Sequence, residues 1–162
     1  MLVLRYAGLL ALTLWVGGLV VLGAIAAPSI FDVLAGRHVP GDRVLAGAIF
    51  GEILRRFHLL SYGCAAVLLS TLLARGVLGP RPLKFAARLG IAAVMFAATL
   101  YSGLVVSSRI AKVQSAIGAS PSSLPEGDPR RVAFGRLHAT STGLLMVPLL
   151  GGLLLLFREL KD

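Results

Sequence analysis

The sequence contains few charged residues, very few acids and a single cysteine. Charged residues make up 14% of its 162 residues, against about 25% in an average soluble domain. Asp and Glu number 7 against 16 Lys and Arg, and the lone cysteine, Cys64, lies inside an apolar segment. A single cysteine cannot form an intrachain disulfide, so cysteine usage gives no information on the redox compartment.

Several catalytic and cofactor motifs are also absent. The sequence has no C-x-x-C-H haem-attachment motif, no cysteine cluster and no glycine-rich phosphate loop. Ser61 and Ser141 each follow a histidine by three residues, but no acid is placed to orient either imidazole as a catalytic triad requires. We therefore predict a protein that is not an enzyme.

The net charge of +9 does not indicate nucleic-acid binding. Lys and Arg lie in loops and at segment ends, and no basic stripe alternates with exposed aromatic residues. Basic residues at the ends of apolar segments are typical of membrane proteins, where they set the orientation and contact lipid headgroups. We expect the lipid bilayer to be the main partner and nucleic acid not to bind.

What the sequence has in abundance is long apolar segments. Hydrophobic residues make up 57% of the chain, and its mean hydropathy is +0.88. A helix needs about 20 residues to cross the ~30 Å hydrocarbon core. Four segments approach or exceed that length, at about 2–27, 57–74, 85–107 and 137–157. The sequence predicts an all-α fold: a four-transmembrane-helix bundle in a single integral membrane domain over residues 1–162.

Beyond these apolar segments, the helices are expected to continue on one side of the membrane. Apolar residues recur at four-residue spacing from Leu45 to Phe57, which is one helix face, and Asp42 before them is a candidate N-cap. Asp128 followed by Pro129 is typical of a helix start, with Asp128 as the N-cap and Pro129 at the first helical position. With these extensions we predict helices over about 2–27, 42–75, 83–117 and 129–159.

The loops predict the orientation of the chain. The loop between the second and third segments is short and purely basic, whereas the other two loops are long and contain acids. By the positive-inside rule the short basic loop is cytoplasmic. Both termini are then cytoplasmic and both long loops lie outside, as expected for a multi-pass protein of the bacterial inner membrane.

One polar motif occurs twice. Residues 56–63 and 136–143 both read R-φ-H-x-x-S-x-G, where φ is apolar, and they open the second and fourth apolar segments. Two membrane crossings separate the copies, so both are expected at the same depth on the outer side, as in a parallel repeat. Within each copy, the histidine and the serine lie at i and i+3 on one helix face.

The candidate site comprises His58, Ser61, Arg109, His138 and Ser141. One interpretation is structural, with these groups bonded to neighbouring helices. A second is a metal or haem site, with His58 and His138 as ligands to haem or copper. A third is a polar path for a substrate, ion or proton. We adopt the metal or haem site as the working hypothesis, with all five residues binding the cofactor.

Another class of function suits a small chain without catalytic residues. The first apolar segment has a face of small residues, among them Gly17, Gly18 and Ala24. Such faces let helix backbones approach closely in lipid. This favours an accessory subunit that packs against a larger membrane complex, or a homo-oligomer.

Short motifs along most of the chain resemble a known family. They are Trp15-x-Gly17-Gly18, Pro28-x-x-Phe31, Arg56-x-His58-x-x-Ser61, Arg109-x-x-x-x-Gln114 and Arg136-Leu137-His138-x-x-Ser141. The chain resembles the four-helix family called domain of unknown function 4149, with its transmembrane protein 205-like members, and is distantly similar to CopD-type copper resistance proteins. The resemblance implies a four-helix membrane protein linked to metal handling, whose activity is not established. Leu144-Leu145 stand where family members often carry Asn after the last serine, so the family's polar motif is not kept in full.

Overall fold

The computed structural model describes residues 1–37, 41–79 and 83–160, which are almost entirely helical. The helices are α1 (Leu2–Val21), α2 (Ala27–Ala35), α3 (Asp42–Leu78), α4 (Phe85–Leu100), α5 (Ser107–Ile117) and α6 (Pro129–Glu159). Two π-helical segments, Leu22–Ala26 and Tyr101–Val106, join α1 to α2 and α4 to α5. Four continuous stretches are long and apolar enough to cross a membrane: Leu2–Ala35, Asp42–Leu78, Phe85–Ile117 and Pro129–Glu159. The predicted all-α class with four spans is confirmed, and the chain is a multi-pass integral membrane protein.

The four spans form a ring in which each packs on two neighbours. α1 and α4 each pack on both α3 and α6, so α3 and α6 lie diagonally opposite each other. Buried apolar side chains from all four spans join in one hydrophobic core, which includes Trp15, Leu68, Met95 and Leu155. Many leucines on the outside stay exposed, which suits helices surrounded by lipid.

Glycines at crossing points indicate the register of α1 against α3. A Cβ atom on Gly8 would lie 2.9 Å from Thr71 Oγ1, and one on Gly18 would collide with the ring of Phe57. The residue number rises along α1 as it falls along α3, so the two helices are antiparallel. Small residues at such points let helix backbones approach closely.

Helix ends agree with the sequence-based predictions at two of three places. Asp128 is the N-cap of α6, where its carboxylate accepts a hydrogen bond from the backbone N–H of Arg130 at 2.8 Å. α5 ends at Gly118, whose φ of 66° places it in the left-handed region that favours glycine. The prediction that Asp42 caps α3 is wrong, because Gly41 with φ 79° holds the cap position and Asp42 is already helical.

The first span is longer than the sequence-based range. Its helix continues past Ala27 and through Pro28 to Ala35. A proline inside an α-helix donates no hydrogen bond, and its ring crowds the carbonyl four residues earlier, here that of Ala24. The π-helical segment Leu22–Ala26 widens the backbone around that carbonyl, so the helix passes the proline without ending.

At the end of the bundle that carries the termini, arginines from three helices converge on Glu159. Arg5 of α1 and Arg75 of α3 lie 2.9 Å and 3.0 Å from Glu159 Oε1, and Arg88 of α4 donates to Oε2. Arg88 also donates to the carbonyl of Arg158 at 2.8 Å. This group, the Glu159 network, ties all four spans together.

Candidate functional site

Three of the five predicted site residues are buried and two are exposed. The relative exposure is 3% for His58, 0% for Ser61 and 6% for Ser141. His138 and Arg109 are both exposed. The two histidines of the repeated motif therefore have different surroundings, one inside the bundle and one on its outer surface.

The two exposed residues have few polar contacts. The imidazole of His138 stacks on the ring of Phe134, one turn earlier on α6, with the ring centroids 6.2 Å apart. Within the described ranges, Arg109 forms no ion pair with a carboxylate. The fold thus brings His58 and Ser61 together inside the bundle and leaves His138 and Arg109 on its surface.

The imidazole of His58 packs against the backbone of the third span. A Cβ atom on Gly103 would lie 3.0 Å from Cγ and Cδ2 of His58 and would collide with the hydroxyl of Tyr62. The rings of His58 and Tyr62, one turn apart on α3, have centroids 6.2 Å apart. Gly103 lies within the π-helical segment Tyr101–Val106, and only glycine leaves room for both side chains.

Several buried polar atoms of this region have no hydrogen-bond partner among the described residues. They are Trp15 Nε1, His58 Nδ1 and Nε2, Ser61 Oγ and Ser102 Oγ. The carbonyl of Leu54 interacts with the His58 ring, but without the geometry of a hydrogen bond. An unpaired buried donor or acceptor costs about 1–3 kcal/mol, so a group of them is typical of a site for a ligand or ordered water. We call Trp15, His58, Ser61 and Ser102 the middle polar cluster.

Helix register places the members of the middle polar cluster at one level. The two glycine contacts between α1 and α3 place Trp15 opposite Ser61. The third span runs antiparallel to α3, and Gly103 lies against His58, so Ser102 falls opposite Leu59, two residues from Ser61. The four residues therefore come from three spans and lie at similar levels, about halfway along the length of each span.

Ser141 of the fourth span lies near the same level. Gly151 of α6 packs on Met95 of α4, where a Cβ atom would lie 2.8 Å from Met95 Cγ. Because α4 and α6 are antiparallel, Ser141 falls about one helical turn from Ser102, toward the long loops. Ser141 is therefore the nearest of the predicted α6 residues to the middle polar cluster.

The middle polar cluster offers hydrogen-bond donors and acceptors and contains no acidic side chain, lysine or arginine. Serine hydroxyls and a neutral imidazole offer both, and the indole N–H only donates. Across the described residues no group of three or more His, Cys, Asp or Glu side chains is placed to hold a metal ion. Within the middle polar cluster, the imidazole of His58 is the group whose chemistry suits a nitrogen ligand of a metal.

His58 and Ser61 belong to the site predicted from the sequence, whereas Trp15 and Ser102 do not. A tryptophan in an apolar segment reads as an ordinary core residue, and nothing in the sequence predicts that its N–H is unpaired. For Ser102 a signal was available, because Thr99 and Ser102 are polar residues three apart on one face of an apolar helix. Their relative exposures are 2% and 0%.

Comparison with known proteins assigns the chain to a family. Residues 10–119 match the model of the family described as Domain of unknown function (DUF4149). This match spans more than half of the chain, so the chain belongs to that family. No curated protein and no solved structure matches it, so the finer likenesses to transmembrane protein 205 and to CopD-type proteins receive no support from these comparisons.

Proposed function

We propose that this DUF4149 protein is a non-enzymatic integral membrane protein that binds a small ligand inside its helix bundle, at the middle polar cluster. The observation that supports this most directly is the set of buried, unpartnered polar atoms of Trp15, His58, Ser61 and Ser102. One ligand with both donors and acceptors would satisfy groups from three spans. All four residues also fall within the stretch that matches the family model.

A metal ion is the ligand that the resemblance to copper resistance proteins favours. An imidazole nitrogen is a suitable ligand for copper or zinc, and His58 offers one on the same helix face as the hydroxyl group of Ser61. A haem with His58 and His138 as axial ligands would require the exposed His138 to turn into the bundle. We therefore favour a single ion or a small molecule over a haem.

The test is to identify what the purified protein carries. Protein prepared without added ligand is analysed for metals by plasma mass spectrometry, for a haem Soret band by absorption, and for small molecules by extraction and mass spectrometry. We expect one species per chain that is lost in His58→Leu and kept in His138→Leu, the matched control on the outer surface.

The other possible outcomes of these assays contradict the proposed site. Absence of any stoichiometric species, or a species that His58→Leu retains, contradicts the proposal. Equal loss from His58→Leu and His138→Leu, with both variants folded, contradicts the single-histidine site and supports the paired-histidine haem or metal site instead.

A second candidate function, an accessory subunit of a larger membrane complex, is favoured by the outer face of α6. Gly135, His138, Ala139 and Gly143 are all exposed on that face. A polar imidazole turned toward lipid is unfavourable, and the small residues around it permit a close helix contact. A partner helix packed on α6 would cover both.

Copurification in mild detergent tests this candidate. We expect a partner to be lost in Ala139→Trp, which blocks the small-residue face, and kept in Leu150→Trp, an exposed position further along α6. A lone monomer in every preparation argues against an accessory role, and a homo-oligomer would identify the partner as a second copy.

A further inference from the structure

A groove opens beside the Glu159 network, on the outside of the bundle between α1 and α6. It is lined by Arg5, Leu9, Leu156, Glu159 and Leu160 and has a volume of about 450 Å³. The groove is thus apolar along its walls and charged at the end nearest the termini. It lies at the opposite end of the bundle from the long loops and is independent of the middle polar cluster.

Arg5 presents unused hydrogen-bond donors to this groove. Its Nε pairs with Glu159 Oε1 at 2.9 Å, and its Nη2 donates to the Glu159 carbonyl at 2.8 Å. A guanidinium has five N–H donors, so these two bonds leave others free. The Arg5 side chain is 38% exposed, which leaves these donors accessible from the groove.

The charge balance at this end of the chain is strongly positive. Segments 1–5, 75–88 and 158–162 together contain seven Lys or Arg residues and two Asp or Glu residues. Additional negative charge from outside the protein would therefore be stabilised at this end of the groove.

We propose that the groove between α1 and α6 binds one anionic phospholipid. Its phosphate accepts hydrogen bonds from Arg5, and an acyl chain lies along Leu9 and Leu156. Guanidinium groups suit phosphate because their planar donors match its oxygens, and basic pockets between transmembrane helices are recurrent sites for anionic headgroups. The leucine walls favour a lipid over free phosphate, which would leave them uncovered.

Native mass spectrometry of the full chain in detergent tests this site. The protein is offered equal amounts of dioleoylphosphatidylglycerol and dioleoylphosphatidylcholine, and the bound ratio is measured. We expect the wild type to retain the anionic lipid preferentially. Arg5→Gln should reduce that preference about fivefold, the loss expected for one basic residue near a lipid surface.

A second variant and a control separate lipid binding from stability. Leu160→Glu places a negative charge at the mouth of the groove, on a side chain that is 85% exposed, and should reduce the preference without disturbing the core. Arg130→Gln, an exposed arginine on the long-loop side, should leave it unchanged. Equal binding of the two lipids by the wild type, full retention by Leu160→Glu, or complete displacement by excess inorganic phosphate would overturn the proposal.

Discussion

Gly103 is the residue on which packing around His58 most directly depends. Because a Cβ atom there would meet the His58 ring at 3.0 Å and collide with the Tyr62 hydroxyl, Gly103→Ala should destabilise the fold by about 1–3 kcal/mol, the usual cost of overpacking. Thermal unfolding in detergent measures the effect. Gly63→Ala is the control, since its Cβ would meet nothing within 4 Å. Adding Tyr62→Phe should restore part of the loss, and a Gly103→Ala protein as stable as the wild type would contradict this packing.

The repeated motif predicts which residues share a helix face, but not which side of the helix points into the bundle. The spacing places histidine and serine on one helix face, but positions i and i+3 still differ by about 60° around the axis. In α3 both His58 and Ser61 point inward, whereas in α6 Ser141 is buried and His138 is exposed. The rotation of each helix is set by its neighbours in the bundle, which the motif does not encode. The residues of the site were therefore predictable only in part.

The helices themselves follow closely from local sequence. Long apolar segments predict the four spans. Glu52 pairs with Arg55 at 2.7 Å and with Arg56 at 2.8 Å, as expected for opposite charges three and four residues apart on a helix. The two π-helical segments were not predicted. Leu22–Ala26 accommodates the ring of Pro28, and Tyr101–Val106 places Gly103 against α3. Each segment is therefore determined by steric contacts between specific atoms, which the spacing of apolar residues in the sequence does not reveal.

The N-cap of α6 offers a test at the level of one helix. The hydrogen bonds from Arg130 lower the pKa of Asp128. A carboxyl group whose pKa is lower in the folded than in the unfolded chain stabilises the folded state. This stabilisation is fully present above the unfolded-state pKa, about 3.9 for Asp. It is lost as the pH falls through the lower pKa of the folded state. Asp128→Ala should therefore lower the protection of the amides in the first turn of α6 at neutral pH, measured against their intrinsic exchange rate at the same pH, and the wild type should lose that protection in acid.

Hydrogen-exchange mass spectrometry in detergent measures this fraying. Asp128→Ser keeps a capping oxygen and should exchange nearly as slowly as the wild type at neutral pH. Asp32→Ala, on α2, should leave the first turn of α6 unaffected. If Asp128→Ala exchanged no faster than Asp128→Ser, the cap would not be holding the helix end.

The ring of four spans places both termini and the turn near residue 83 at one end, and the long loops at the other. The positive-inside rule predicts that the end with the termini is cytoplasmic. Cys64 is buried, so single cysteines introduced elsewhere report the orientation. In intact cells, Ser122→Cys should react with a membrane-impermeant maleimide and Leu83→Cys should react only after lysis. The reverse pattern would invert the predicted orientation.

Glu159 links all four spans, because its carboxylate pairs with an arginine from each of the three other spans: Arg5, Arg75 and Arg88. Glu159→Gln keeps the size of the side chain but removes the negative charge. Removing one partner from a buried ion network costs about 3–5 kcal/mol, so we expect a large drop in the thermal unfolding temperature in detergent. The contribution of Arg5 should be the smallest of the three, since its side chain is 38% exposed and exposed ion pairs are weak.

Glu126→Gln is the matched control, since that side chain is 93% exposed and its contact with Arg131 is 3.8 Å long. It should unfold at the wild-type temperature. Arg5→Gln should fall between the control and Glu159→Gln, because it removes one arginine and leaves Arg75 and Arg88 paired. If instead Glu159→Gln unfolded together with Glu126→Gln, the apolar core alone would hold the four spans, and the converging arginines would serve lipid contact more than stability.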